Sequence, residues 1–280
     1  MKRNQFIKMF SLLPLLRPAD RVSALLDLGR AAAPAQGRLP VMFFGHGDPR
    51  NAFRDNPFTR QIRSVGKALP FKPSAVLVIS GHYLSTEESY LKVRPHFDSS
   101  YYPVKGAVDY EESITTDLGI RADHGIDLDH GAWVILNHLF PDKDVPVMEL
   151  SMPMYLPLNY HWEMAQKLKP LRDKGVLIIG SGNVVHNLEM SMLKTFAFSH
   201  KPFPWALEMD EWIKTNIDNR NWQNLFNYPS KGKAASLAIN TADHYIPMLY
   251  VLSLVDAKEN IVHTYEEVFA GISMRCFKTV

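Results

Sequence analysis

LPVMFFGHG, residues 39–47, is an apolar run that closes on Gly45 and His46, and it reads as a buried strand emptying into a loop. The segment behind it, PFTRQIRSVGKALP at 57–70, places Phe58, Ile62, Val65 and Leu69 on one helical face, with Pro57 suited to a first turn. Strand then helix is a βα unit. SAVLVISGHY at 74–83 repeats the opening and again ends in Gly-His. VPVMELSM at 145–152 and GVLIIGSGNVVHN at 175–187 supply a third and a fourth strand, the last running into a loop.

Between and after these runs the pattern predicts helices over 111–120, 130–140 and 160–174, the last bent or ended by Pro170. Another is expected over 204–227 with its tryptophans and leucines on the packed side, and another in DHYIPMLYVLSL at 243–254 with Pro247 in its first turns. The closing segment 260–280 reads as strands or a hairpin. Strands alternating with helices predict an α/β fold, a single domain whose largely parallel or mixed central sheet is flanked by helices.

The 280 residues, 46% hydrophobic and 21% charged, have the balance of a globular protein with a substantial core. We expect a domain over 39–280, preceded by an extension and linker over 1–38 that ends in AAAPAQGR. With 31 Lys plus Arg against 29 Asp plus Glu, the net charge of +2 offers no strong field, and nucleic acid is not an expected partner. The single cysteine, Cys276, cannot pair within the chain, which fits a reducing compartment. MKRNQFIKMFSLLPLL at 1–16 imitates an export signal, but Pro14 breaks its apolar run and Arg17 follows it. A cytoplasmic protein is the expectation, with export as the alternative. No segment has the ~20 consecutive apolar residues of a membrane span.

Three of the apolar strands lead to histidines, His46, His82 and His186. In open α/β sheets the ligand crevice lies outside the carboxyl ends of the strands, so the three loops can converge. Gly45, Gly47, Gly81, Gly180 and Gly182 beside them allow tight turns and close approach of backbone. Neutral imidazole ligates iron and zinc, and a site of two or three histidines keeps positions open for substrate. The repeated pattern therefore points to a metal-dependent enzyme, although no local motif such as HExxH accompanies it. His130 opens a helix, where an acid or base or a plain capping residue would sit. His138, His96, His124, His161, His200 and His263 are expected to be structural or exposed. Asp48 and Glu149 are candidates for orienting metal-bound histidines, with an ordinary turn residue and a solvated strand residue as the plainer readings.

Six blocks, FFGHGDPRNAF, VLVISGHY, LDHGAWVIL, VPVMELSM, VLIIGSGNVVHNL and ADHYIPMLYVL, occur in this order. Together they make the chain, from about Leu39 to its C-terminus, resemble the LigB-type or class III extradiol ring-cleaving dioxygenases, in the branch similar to 4,5-DOPA dioxygenase. The resemblance implies one divalent metal held by His46, His82 and His244. Fe(II) would serve turnover, and Zn(II) could occupy the isolated protein. His186 is implied either as a further ligand or as the base beside the metal, and His130 as a residue that meets substrate or oxygen and acts as acid. Ligation by Asp243 instead of His244 would restore the two-histidine, one-carboxylate triad of many relatives.

The implied reaction is insertion of O2 into a catechol-type ring, with 4,5-cleavage of DOPA as one form of it. HNLEMSM after His186 lacks the sequence that marks the plant pigment enzymes, so a catechol is the expected substrate class. Tyr83, Tyr101 and Tyr102 could wall an aromatic site. Two rivals share the same ligands: a zinc-dependent hydrolase, which no helical Glu motif supports, and a non-catalytic metal-binding module.

Overall fold

Strands β1 (Val41–Gly45), β2 (Ala75–Ser85), β3 (Tyr90–Lys92), β4 (His96–Phe97), β5 (Val104–Lys105), β6 (Arg121–Asp123), β7 (Val147–Pro153) and β8 (Val176–Gly182) are followed by four short ones near the C-terminus. These are β9 (Ile261–Tyr265), β10 (Val268–Phe269), β11 (Ile272–Ser273) and β12 (Cys276–Thr279). The computed structural model describes residues 37–94, 96–97, 101–124 and 127–280. The expected extension and its export-like segment lie outside the described residues, save Gly37 and Arg38. Arg38–Val280 form one compact unit.

Eight strands make one mixed sheet in the order β6-β3-β7-β2-β8-β1-β12-β9. Its centre, β7-β2-β8-β1, is parallel throughout. The edges reverse, because β3 pairs antiparallel with β7, and β12 antiparallel with both β1 and β9. Alternation sorts the core into two layers. Val41, Phe43, Leu77 and Ile79 face one side and Met42, Phe44, Val76 and Val78 the other, all buried.

Helices cover both faces. On the Met42 side lie α1 (Pro57–Lys67) and α3 (His130–Leu139), while α2 (Glu111–Leu118) packs Ile114 and Leu118 into the Phe43 layer. Asn56 closes a capping box with Thr59 at the start of α1, and Pro57 sits in its first turn as the sequence indicated. On the Phe43 side the layer is built from α4 (Leu158–Gln166), α5 (Lys169–Asp173), α6 (Leu188–Phe196), α7 (Pro204–Asp218), α8 (Trp222–Phe226), α9 (Lys233–Ala238) and α10 (Ile246–Ser253). Every residue of α10 is buried, and Pro247 occupies its first turn. Among the described residues no helix is long and apolar enough to cross a membrane.

Three expectations are corrected. The helix expected over 160–174, bent or ended by Pro170, ends earlier, at Gln166, and Pro170 stands in the first turn of a second one, α5, where its missing N–H is harmless. The helix over 204–227 is two helices; α7 buries Ala206, Met209, Ile213 and Ile217, Trp205, Trp212, Trp222 and Leu225 lie on the packed side as expected, and Leu207 is exposed. The smaller residues set the packed stripe because they sit three and four apart. Finally, His82 does not follow its strand. β2 runs on to Ser85, and its pairing with β7 stops at Ile79 and resumes at Leu84, so His82 sits in an irregularity of the kind that re-aims a side chain.

Candidate metal centre

β2, β8 and β1 are neighbours, and their register levels the candidate residues. Phe44 and Ser80 both pair with Ser181 of β8, so His46, His82 and Asn183, each two residues further on, lie at one height at this end of the sheet. The backbone before α10 closes over this edge, where Asn183 N–H donates to the His244 carbonyl at 3.0 Å. Gly182 permits that approach, since a Cβ there would stand 2.2 Å from the His244 carbonyl oxygen. Gly81 does the same from β2, where a Cβ would meet the His244 Cα at 3.2 Å.

His46, His82 and His244 each bring one ring nitrogen into a group that could hold a metal ion. The His82 Nε2 lies 3.0 Å from His46 Nε2 and 3.1 Å from His244 Nε2. Nitrogens bound at ~2.0–2.1 Å to one ion stand about 3 Å apart, so the spacing fits. Their tautomers follow from the other ring nitrogen. The Ser181 hydroxyl donates to the Gly131 carbonyl at 2.7 Å, which leaves its oxygen to accept from His46 Nδ1–H at 3.0 Å. His244 Nδ1–H donates to Asp243 Oδ2 at 2.9 Å. Both Nε2 atoms are then bare lone pairs aimed at His82, which has one proton at most to offer between them. A cation relieves the clash of lone pairs.

Electrostatics agree with neutral rings. Burial, with the neighbouring imidazoles, holds His46 well below the usual histidine range and brings His82 and His186 to about 3. Burial alone would raise the Asp243 carboxyl, but hydrogen bonds from His244 and the Thr241 hydroxyl hold it far below the ordinary range. Asp243 thus orients His244 by its carboxylate, and it is not among the three grouped residues.

His186 and His130 flank the group. The His186 ring stacks flat on His244, with centroids 3.7 Å apart and planes at 2°, and the backbone N–H of His186 donates to the Ala238 carbonyl. The His130 ring lies 3.6 Å from that of His82 at the start of α3. Asp129 caps that helix through Ala132 N–H and takes the Ser80 hydroxyl. Both histidines, with the three grouped ones, line a cavity of about 1140 Å³.

The other candidates fall elsewhere. Glu149 is fully buried and pairs with Lys92 Nζ at 2.7 Å, away from the three histidines, and burial pushes its carboxyl up to about 8. Asp48 lines the cavity but caps the turn Pro49–Phe53 and binds Arg50. His138 is buried against the Asn51 carbonyl, His161 is buried under α10 beside Tyr250, and His263 bonds Asp218. His200 lines the outer cavity. Tyr83 donates to Asp123, Tyr102 to the Phe140 carbonyl, and neither lines the cavity. Burial pushes Cys276 up to about 12, an inert thiol. Ser181, Ser80 and Asp129 escaped the sequence reading. Asp129 could have been noticed as a cap before His130, whereas nothing local distinguishes Ser181.

The family model for the catalytic LigB subunit of aromatic ring-opening dioxygenase matches residues 40–273. A protein of Escherichia coli K12 named 4,5-DOPA dioxygenase extradiol is 33% identical over 256 residues, 84% of this chain and 92% of that protein. A Beta vulgaris protein of the same name is 29% identical over 246 residues, 80% of this chain and 90% of its own. The crystal structure of an uncharacterized protein from E. coli K12 superposes with a TM-score of 0.76 at 32% identity, covering 86% of this chain and 99% of that one.

Proposed function

This chain belongs to the LigB family of aromatic ring-opening dioxygenases, and we propose that it is a metal-dependent extradiol dioxygenase acting on a catechol, with DOPA among the candidate substrates. The convergence of three Nε2 atoms, two of them bare, in the lining of the cavity carries this reading.

His46, His82 and His244 would hold the metal, with Ser181 and Asp243 fixing the outer two in the tautomer that offers Nε2. Bound there, Fe(II) would lower the proton affinity of the diol and pass electrons from ring to O2, which Zn(II) cannot do. The rest is the work of side chains. His186, neutral and lining the cavity, is placed to take a proton from a catechol hydroxyl. His130, on the other side of His82, is placed to meet substrate and O2 and to deliver a proton as the O–O bond breaks. Both oxygen atoms end in the product, a ring-opened muconic semialdehyde. The cavity's carboxylates among the described residues are all engaged, Asp48 with Arg50, Glu267 with the Tyr265 hydroxyl and Asp243 with His244.

The test is anaerobic reconstitution with Fe(II), then catechol or DOPA and air, in an oxygen electrode. Oxygen uptake with a yellow product is expected. His46→Ala and His82→Ala should lose metal and turnover together, and His130→Ala should keep the metal while losing turnover. Absence of oxygen uptake across a catechol panel by metal-loaded protein would overturn the proposal.

A further inference from the structure

α6 leaves the metal centre immediately after His186 and Asn187, and its polarity is the reverse of an ordinary surface helix. Its inner side is polar. Asn187 caps it through Met190 N–H, and the buried Ser191 hydroxyl donates to the Asn187 carbonyl while accepting Gly271 N–H at 2.9 Å. Its open side carries Leu188, Met192 and Phe196, spaced four apart and hence in one row, with 51%, 49% and 74% of their surface exposed. All three line the cavity that holds His46, His82 and His244.

A contiguous apolar row left open to solvent marks a binding surface. The row is continuous with the metal cavity, whose about 1140 Å³ exceeds the upper end, roughly 1,000 Å³, of ordinary small-molecule sites and far exceeds a bare catechol. Ile272 and Met274 extend the same lining. Of the three lining carboxylates among the described residues, Asp48 is paired with Arg50 and Asp243 is turned to His244, which leaves an ammonium group only Glu267, already accepting from the Tyr265 hydroxyl.

We infer that α6 is the wall against which a substituent of the substrate packs, so that the preferred substrate is a catechol bearing an apolar alkyl or aryl group rather than a zwitterionic amino-acid side chain. This rests on the reading of the site as a catechol site.

Calorimetry with the Zn(II)-loaded protein, which binds without turning over, tests it with catechol, 4-phenylcatechol and DOPA as probes. We expect 4-phenylcatechol to bind about tenfold more tightly than catechol, from the apolar area removed from water, and DOPA to bind no more tightly than catechol. In a Met192→Ser/Phe196→Ser variant the ratio of the 4-phenylcatechol to the catechol affinity should fall to within about threefold. DOPA binding more tightly than 4-phenylcatechol, or a ratio unchanged in the variant, would overturn the inference. If none of the three probes binds, the catechol reading itself fails and takes the inference with it. If the variant instead converts a dimer to a monomer in sedimentation while the ratio persists, α6 is a self-association face and the inference is wrong.

Discussion

Replacing Ser181 by alanine should cost the protein its metal before it costs its fold. Ser181 is fully buried on β8, and His46 is 1% exposed. The hydroxyl is the acceptor for His46 Nδ1–H at 3.0 Å. Without it the imidazole keeps a buried unsatisfied donor, a penalty of ~1–3 kcal/mol, or escapes by moving its proton to Nε2. The second course spares the fold and spoils the lone pair that faces the metal. Loss of such an orienting partner weakens metal binding by about 10–100-fold, or ~1.4–2.7 kcal/mol. Zn(II) affinity should be measured by competition with a chromophoric chelator, and the stability of the metal-free variant by urea unfolding. Zinc affinity within about threefold of the parent protein, alongside lowered metal-free stability, would refute the assignment of the His46 tautomer to Ser181.

Two further outcomes follow from the same edge of the sheet and the layer behind it. Gly182→Ala places a Cβ 2.2 Å from the His244 carbonyl oxygen, so the backbone that carries His244 must retreat. Elemental analysis of the purified variant should find little zinc or iron, and full metal occupancy would show that this approach does not position His244. Glu149→Gln should flatten the pH dependence of stability. Burial first, then Asp129, raises the Glu149 carboxyl from 4.5 to about 8 against the opposing Lys92 ammonium. Between those values the folded chain holds a proton that the unfolded chain has lost, so this group's contribution is complete below 4.5 and is lost as pH rises through about 8. Urea midpoints at the two ends of that window should diverge less in the variant, and an unchanged slope would mean that Lys92 keeps Glu149 ionised throughout.

Much of the sheet was legible because its central strands are buried on both faces, and such strands read as unbroken apolar runs. The first-turn positions of Pro57 in α1 and Pro247 in α10 were legible for a local reason as well, since a first-turn proline acts within its own helix. Glu149 shows where local reading stops. A carboxylate in a strand looks solvated until β3, inserted antiparallel against β7, sets Lys92 directly opposite it. The packed side of α7 was legible in its tryptophans, which do lie against the core, while Leu207 faces solvent because the stripe that meets the core is chosen by spacing and not by hydrophobicity alone.

At the metal centre the sequence by itself determined that β1, β2 and β8 each lead to a histidine, His46 and His82 directly beside glycine, and the resemblance drew His244 from the far end of the chain. Only the tertiary structure brought His46, His82 and His244 into one group, with His186 stacked beside them and Asp243 turned to orient His244. The physical reason is strand order. β8 lies between β2 and β1, which puts Ser181 under His46 across 135 residues of sequence. Which ring nitrogen is bare depends on that one contact, and no pattern along the chain encodes it.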